Sequence, residues 1–300
     1  MLEPWSFLKA HGLGNDFVLH LASAGEPPPS AAAVRALCDR RQGLGADGVI
    51  LLFPRPEPGI YRMLLLNADG SEAEISGNGL RCAVGALVVW WCRVAGGEPV
   101  IETGAGRRRG RVLAAAPGPT ATRPGGDALP LQVEVEVSMG RPSFAASAIP
   151  LAGVALSPTG LIHLEVDGSE VEGMALSLGN PHLVIAGPLP DEEEVLRLGP
   201  LLERHPGFPS RINVIWMSLP REGRSELRIW ERGCGSTRAC GSGACAAAAV
   251  AQRRGWASPG ELLRLSMAGG EARVRLPAGV EDELLLSGAV RLVAQGECYL

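Results

Sequence analysis

The sequence predicts an α+β chain of two pseudo-symmetric domains. Each is expected to be a mainly antiparallel curved sheet or barrel around a buried central helix. Three observations carry this expectation. Two stretches look alike: Ser76-Gly77-Asn78-Gly79-Leu80-Arg81-Cys82 and Cys240-Gly241-Ser242-Gly243-Ala244-Cys245. Each opens on a small nucleophilic residue, continues as Gly-x-Gly and runs into an apolar segment rich in small residues. Asn67 precedes Ser76 by nine residues and Glu231 precedes Cys240 by nine, so one order of strands, polar turn, glycine turn and helix occurs twice. Between the halves lies a Pro/Gly/Ala-rich stretch, residues 115–130. It reads as a linker, with the boundary at 129/130.

Taken in order, Phe7–Ala10 and Phe17–Leu21 are strand signals on either side of His11-Gly12-Leu13-Gly14-Asn15-Asp16. Ser30 can cap a helix running through Arg40. Val49–Phe53 is a buried strand, and Tyr61–Leu66 another, ending at the turn Asn67-Ala68-Asp69-Gly70. A helix is expected from about Gly79 to Arg93; it is apolar on all sides and should be buried. Val100–Thr103 and Arg111–Ala114 are strands, and Arg107-Arg108-Arg109 reads as a solvated turn. Past the linker, Gln132–Val137 alternates with period two. Leu161–Val166, Met174–Leu178 and Leu183–Ala186 are strands around the turn Gly179-Asn180-Pro181-His182. Asp191–Glu203 is an amphipathic helix with acids in its first turn; Ile212–Met217 and Glu226–Trp230 are strands. The second glycine turn opens a helix to about Arg253, and Leu262–Met267, Glu271–Leu276 and Glu283–Val293 complete the chain as strands.

Composition narrows the function classes. The formal charge of −4 and a pI near 5.8 argue against a nucleic-acid surface. No apolar run reaches bilayer length, and the N-terminus lacks the apolar core of a signal peptide. A soluble, cytoplasmic protein is expected. Seven cysteines without CxxC spacing read as free thiols in a reducing compartment rather than as a disulfide framework or a metal site. Cys82 and Cys245 read as small core filler, and Cys38, Cys92 and Cys298 as packing. Lys9 is the only lysine; every other basic residue is arginine. A pyridoxal phosphate enzyme needs a lysine for its Schiff base, so any amino-acid chemistry is expected to use no cofactor.

The chemistry sits at the glycine turns. A turn that opens a helix leaves backbone N–H groups pointing outward at the positive end of the helix dipole, a carboxylate-binding arrangement. A thiol at that position tends toward its thiolate, which makes Cys240 a candidate nucleophile or base. His182 and Glu231 are candidates to poise it. All five asparagines, Asn15, Asn67, Asn78, Asn180 and Asn213, fall at turns or strand ends, where they offer neutral donors and acceptors to an amino acid. Arg232 adds a bidentate partner for a carboxylate.

Five motifs in register, His11-Gly12-Leu13-Gly14-Asn15-Asp16-Phe17, Asn67-Ala68-Asp69-Gly70-Ser71, Gly77-Asn78-Gly79-Leu80-Arg81-Cys82, Gly179-Asn180-Pro181-His182 and Glu231-Arg232-Gly233 with Ala239-Cys240-Gly241-Ser242-Gly243-Ala244-Cys245, resemble diaminopimelate epimerase over nearly the whole chain. The resemblance implies a cofactor-independent enzyme that interconverts LL- and meso-diaminopimelate, on the route to lysine and cell-wall peptide. It implies two cysteines on opposite faces of the substrate α-carbon, in a cleft between the domains. Carried over by position, Cys240 is one acid/base residue, with His182 and Glu231 assisting. Asn15, Asn67, Asn180, Asn213, Glu231 and Arg232 would bind substrate, and the backbone N–H groups of Gly77, Asn78, Gly241 and Ser242 would hold its α-carboxylate. A strand near 288–300 would return to the first domain, giving domains of 1–129 plus 288–300 and 130–287. The partner is then a small amino acid and the assembly a homodimer, with no metal, nucleic acid or membrane involved.

Two positions depart from the family pattern. Ser76 stands where the partner cysteine is expected, and a hydroxyl is a far weaker acid than a thiol. The chain is then an epimerase impaired by Ser76, a related racemase of another amino acid, a one-base enzyme working through Cys240, or an inactive or engineered Cys-to-Ser form that only binds substrate. Gly235-Ser236-Thr237 replaces the usual Gly-Glu-Thr and loses a carboxylate.

Overall fold

The computed structural model describes residues 4–23, 25–94, 97–115, 120–122 and 128–299. The chain forms two compact units, Met1–Ser138 with Ser287–Leu300, and Met139–Leu286.

The first unit contains β1 (Trp5–Gly12), β2 (Asn15–Leu21), α1 (Ala31–Cys38), β3 (Gly48–Pro54), β4 (Ile60–Asn67), β5 (Glu72–Ala73), α2 (Gly77–Gly85), β6 (Val100–Thr103), β7 (Gly106–Ala115), β8 (Thr120–Thr122), β9 (Ala128–Pro130) and β10 (Gln132–Ser138). The second contains β11 (Leu161–Val166), β12 (Ser169–Ser177), β13 (Pro181–Ala186), α3 (Glu192–Glu203), β14 (Asn213–Met217), β15 (Arg224–Glu231), β16 (Gly235–Ser236), α4 (Gly241–Arg253), β17 (Leu262–Met267) and β18 (Gly270–Arg275). The last strand, β19 (Leu285–Cys298), starts at the end of the second unit and runs through the first.

In the first unit the pairings β1–β2–β3–β4–β6–β7–β10–β19 close on β1, making an eight-stranded barrel. Closure leaves no exposed edge among these strands. The sheet is mixed. β2–β3 and β4–β6 are parallel, and β1–β2, β3–β4, β6–β7, β7–β10 and β1–β19 are antiparallel. A parallel pair needs a crossover. Helix α1 supplies the first and α2 the second. The second unit repeats the plan: β13–β14 is parallel across α3, β14–β15 antiparallel, β15–β17 parallel across α4, and β17–β18 antiparallel. Each central helix is therefore the crossover between two parallel strands, preceded by a short hairpin, β4–β5 or β15–β16.

The central helices are buried because their residues are small or apolar all round. Every residue of α2 is buried, as is Gly241 through Ala251 of α4. Around them, Leu19, Ile50 and Leu52 in the first unit and Ile215, Leu263 and Leu265 in the second are fully excluded from water. Helices α1 and α3 are amphipathic and lie on the outside of the sheets. Val34 and Leu37 of α1 join Val18, Val49 and Leu51, and Val195 and Leu202 of α3 join Leu183, Val214 and Trp216. Ser30 caps α1 and Asp191 caps α3, each accepting from the backbone three residues on.

Several expectations are corrected. The helix expected over 79–93 starts at Gly77, passes at Ala86 into a π-helical turn, Ala86–Trp90, and stops there. Helix α1 ends at Cys38 rather than Arg40. Arg107-Arg108-Arg109 is not a turn but part of β7. Arg108 is buried there and donates to the carbonyls of Ala105 and Arg107, while Arg107 pairs with Glu102. Cys92 is not packing: it is exposed, with φ at +50°. Part of the expected linker lies outside the described residues; its described ends, β8 and β9, pair as a hairpin. The strand over 132–138, expected after the boundary, hydrogen-bonds β7 and so belongs with the first barrel. No helix among the described residues is long and apolar enough to cross a membrane.

Candidate active site

Both glycine turns fold as expected, with the nucleophilic residue as the helix cap. Ser76 has extended φ/ψ and its Oγ accepts from the Gly79 N–H at 3.0 Å. Cys240 has nearly the same backbone, and its Sγ accepts from the Gly243 N–H at 3.3 Å. Residues N1 and N2 of each helix, Gly77 and Asn78 or Gly241 and Ser242, have no intrahelical acceptor for their N–H groups. The glycine at N3 is needed for close approach. A Cβ on Gly79 would lie 3.0 Å from Ile50 and 3.2 Å from the Ser76 Cβ; one on Gly243 would lie 3.2 Å from Ile215 and 3.3 Å from the Cys240 sulfur.

Cys240 is 4 % exposed, and its thiol donates to Glu231 Oε2 at 2.9 Å. Burial pushes the thiol pKa well up, and the adjacent Glu231 carboxylate pushes it further. The resting form is therefore a protonated thiol, not the thiolate that a helix N-terminus alone would favour. Ser242 Oγ sits 3.5 Å from the sulfur. Glu231 is the last residue of β15, held by its pairing with Gly235 in the β15–β16 hairpin. Thr237 donates to its other oxygen, Oε1, at 2.6 Å.

His182 is completely buried on β13, in parallel register with Asn213 on β14. Its Nε2 lies 2.9 Å from Asn180 Oδ1. That oxygen can only accept, so Nε2 carries the proton and Nδ1 is a bare acceptor. Nδ1 is buried and has no hydrogen-bond partner among the described residues. Burial, with the Arg232 charge adding to it, lowers the His182 pKa to about 3. Asn213 Nδ2 donates to the Pro181 carbonyl at 2.9 Å and its Oδ1 accepts from the Arg232 N–H at 3.0 Å. The Arg232 guanidinium reaches the Ser210 carbonyl at 3.3 Å.

In the first unit, Asn78 Nδ2 donates to Asn15 Oδ1 at 3.2 Å, and Asn15 Nδ2 donates to Asp47 at 2.8 Å. Arg81, buried one turn into α2, donates to Asn78 Oδ1 at 2.7 Å. Asn67, at the end of β4, donates to Ser71 Oγ at 3.0 Å rather than to this chain of amides. Lys9 is held by Asp16 at 3.2 Å and by the Leu44 carbonyl at 2.8 Å. Sequence reasoning missed Asp47, Arg81 and Thr237, the three side chains that orient Asn15, Asn78 and Glu231. Thr237 carried a signal in its place three residues before Cys240, within the Gly235-Ser236-Thr237 segment.

The model of the diaminopimelate epimerase family matches residues 7–108 and 174–293. The chain belongs to the diaminopimelate epimerase family. Members named diaminopimelate epimerase are 38% identical in Magnetococcus marinus, over 97% of this chain and 96% of the relative, and 39% identical in Desulforudis audaxviator, over 91% and 89%. Among solved structures, a hydroxyproline epimerase from Agrobacterium vitis superposes with a TM-score of 0.67 at 17% identity, covering 100% of this chain and 94% of that one. At that identity the likeness is one of fold. The family's mixed-sheet, two-repeat architecture is the one described above.

Proposed function

We propose that this chain is an isomerase that epimerises LL-diaminopimelate to meso-diaminopimelate at the α-carbon without pyridoxal phosphate. The observation that carries the reading is the Cys240 thiol at the N-terminus of α4, hydrogen-bonded to Glu231 at 2.9 Å. Glu231 takes the thiol proton, breaking S–H and forming O–H. The thiolate, steadied by the Gly243 N–H, removes the α-proton. The electron pair left on carbon delocalises into the α-carboxylate, where helix N-terminal N–H groups stabilise it. Gly77, Asn78, Gly241 and Ser242 are the backbone donors. Asn15, Asn67, Asn180, Asn213, Glu231 and Arg232 bind the amino acid. His182, neutral with a bare Nδ1, assists as an acceptor.

The returning proton comes from the position of Ser76, where the family pattern has cysteine. A hydroxyl transfers it slowly, so the chain turns over below the rate of a two-thiol enzyme. The work is done in the cytoplasm, for lysine and peptidoglycan precursors, by a homodimer that engages neither nucleic acid nor membrane.

The test is α-proton exchange of LL-diaminopimelate in heavy water, followed by NMR, for this chain and for Ser76→Cys. Exchange with epimerisation in both, faster in Ser76→Cys, supports the reading. Exchange only in Ser76→Cys makes this chain a substrate binder with a disabled partner residue. No exchange in either variant rejects diaminopimelate as substrate.

A further inference from the structure

The two helix caps are alike in backbone but unlike in what stands behind them. Nine residues before Ser76 the chain has a neutral amide, Asn67; nine residues before Cys240 it has a carboxylate, Glu231. Three residues before Ser76 stands Ala73; three before Cys240 stands Thr237. The second unit therefore has two polar groups that the first lacks, and they touch. Thr237 Oγ1 donates to Glu231 Oε1 at 2.6 Å, while Glu231 Oε2 accepts from Cys240 Sγ at 2.9 Å.

We propose that Thr237 is a positioning residue for proton transfer from Cys240 to Glu231. Resting on the function proposed above, it turns the carboxylate so that one oxygen is engaged by the hydroxyl and the other faces sulfur. A glutamate side chain has three rotatable bonds, and β16 is only two residues long. Glu231 is half-buried, so its carboxylate has room to turn toward water. The Thr237 hydroxyl is a short charge-assisted donor on the oxygen distal to sulfur. It removes that freedom and leaves the thiol in line with an acceptor. The hairpin delivers the threonine: Gly233 and Gly235, both at positive φ, reverse the chain directly after Glu231 and bring residue 237 back beside it. Thr237 acts on sulfur through Glu231.

The test compares Thr237→Val, which keeps the shape and removes the donor, with Thr237→Ala and Thr237→Ser. The first readout needs no substrate. It is the rate at which iodoacetamide alkylates Cys240 in the folded full chain, followed by mass spectrometry of the Cys240 peptide, with the exposed thiols Cys92 and Cys234 as internal references. A Glu231 carboxylate turned away from sulfur no longer holds the thiol in its protonated form. The thiolate is the species that alkylates, so Thr237→Val and Thr237→Ala should alkylate at Cys240 about tenfold faster, and Thr237→Ser should return to within about threefold of the parent. The second readout is α-proton exchange in a Ser76→Cys background, where kcat should fall about tenfold or more with KM within about twofold. Parent-like alkylation in Thr237→Val and Thr237→Ala overturns the proposal. So does a Thr237→Ser variant as fast as Thr237→Val, which would assign the effect to packing of the methyl group. If the diaminopimelate reading fails instead, exchange is silent in every variant while the order of alkylation rates still stands.

Discussion

Burial sets the protonation state of the reactive side chains. Cys240 is held as a thiol by burial and by Glu231, so its reactivity depends on a transfer rather than on a standing thiolate. Cys240→Ala should abolish α-proton exchange, a loss of at least about a thousandfold, with the thermal midpoint changed little. The measurement is heavy-water exchange beside a melting curve, and retained exchange would remove Cys240 from the mechanism. His182 behaves in the opposite sense. Unfolded, it binds a proton below its ordinary 6.5; folded, only below about 3. Between those values the unfolded chain holds more protons, so stability falls as pH falls through that window, at up to about 1.4 kcal/mol per pH unit for this one group. The urea midpoint should drop between pH 7 and pH 5, and His182→Gln should flatten that slope. An unchanged slope would mean the imidazole finds a partner on protonation. At this scale residue type and motif marked Cys240, Glu231 and His182 as candidates, and the structure places Cys240 beside Glu231. The thiol's resting protonation was not legible in the sequence, because it depends on water exclusion that the motif does not encode.

At the scale of elements, glycines mark where backbones and rings meet. Gly199 in α3 lies against the Trp230 ring: a Cβ there would be 2.4 Å from it. Trp230 in turn donates to the buried Glu203 at 2.7 Å, and Glu203 accepts from the Gly233 N–H at 3.0 Å in the loop that follows Glu231. Gly199→Ala should cost about 1–3 kcal/mol by overpacking, read as a lower urea midpoint. It should also slow exchange, because the ring it displaces supports the strand that ends in Glu231. Neutral behaviour in both measurements would show that Trp230 has room to move. The helix lengths were less legible than their positions. Nothing in Val84–Trp91 signals that α2 widens into a π-helical turn after Gly85, since apolar residues fit either geometry. In β7, Arg107–Arg109 was read as solvated because charge implies exposure. The barrel instead buries Arg108 and satisfies its guanidinium with carbonyl groups.

For the whole molecule, β19 is the strand on which the first barrel depends. It pairs antiparallel with β1 from Trp5 to Gly12 and also with β10, closing the ring. Deleting residues 288–300 should leave β1 and β10 as open edges. The first unit should then be digested readily in limited proteolysis while a fragment close to Met139–Leu286 persists. Equal resistance of both units would show that closure is dispensable. Local sequence determined much of this protein. Ser30, Asp191, Ser76 and Cys240 start their helices because a side-chain acceptor satisfies an orphan N–H, and the repeated spacing around Ser76 and Cys240 announced two copies of one plan. Those features are legible because each depends on residues within a few positions of one another. The return of β19 to the first unit was already implied by the family resemblance; tertiary structure alone decided that β10 joins that barrel, that Asp47 holds Asn15, and that Glu231 is gripped by Thr237. These depend on strand pairing, hairpin closure and the exclusion of water, which exist only once the chain has closed on itself.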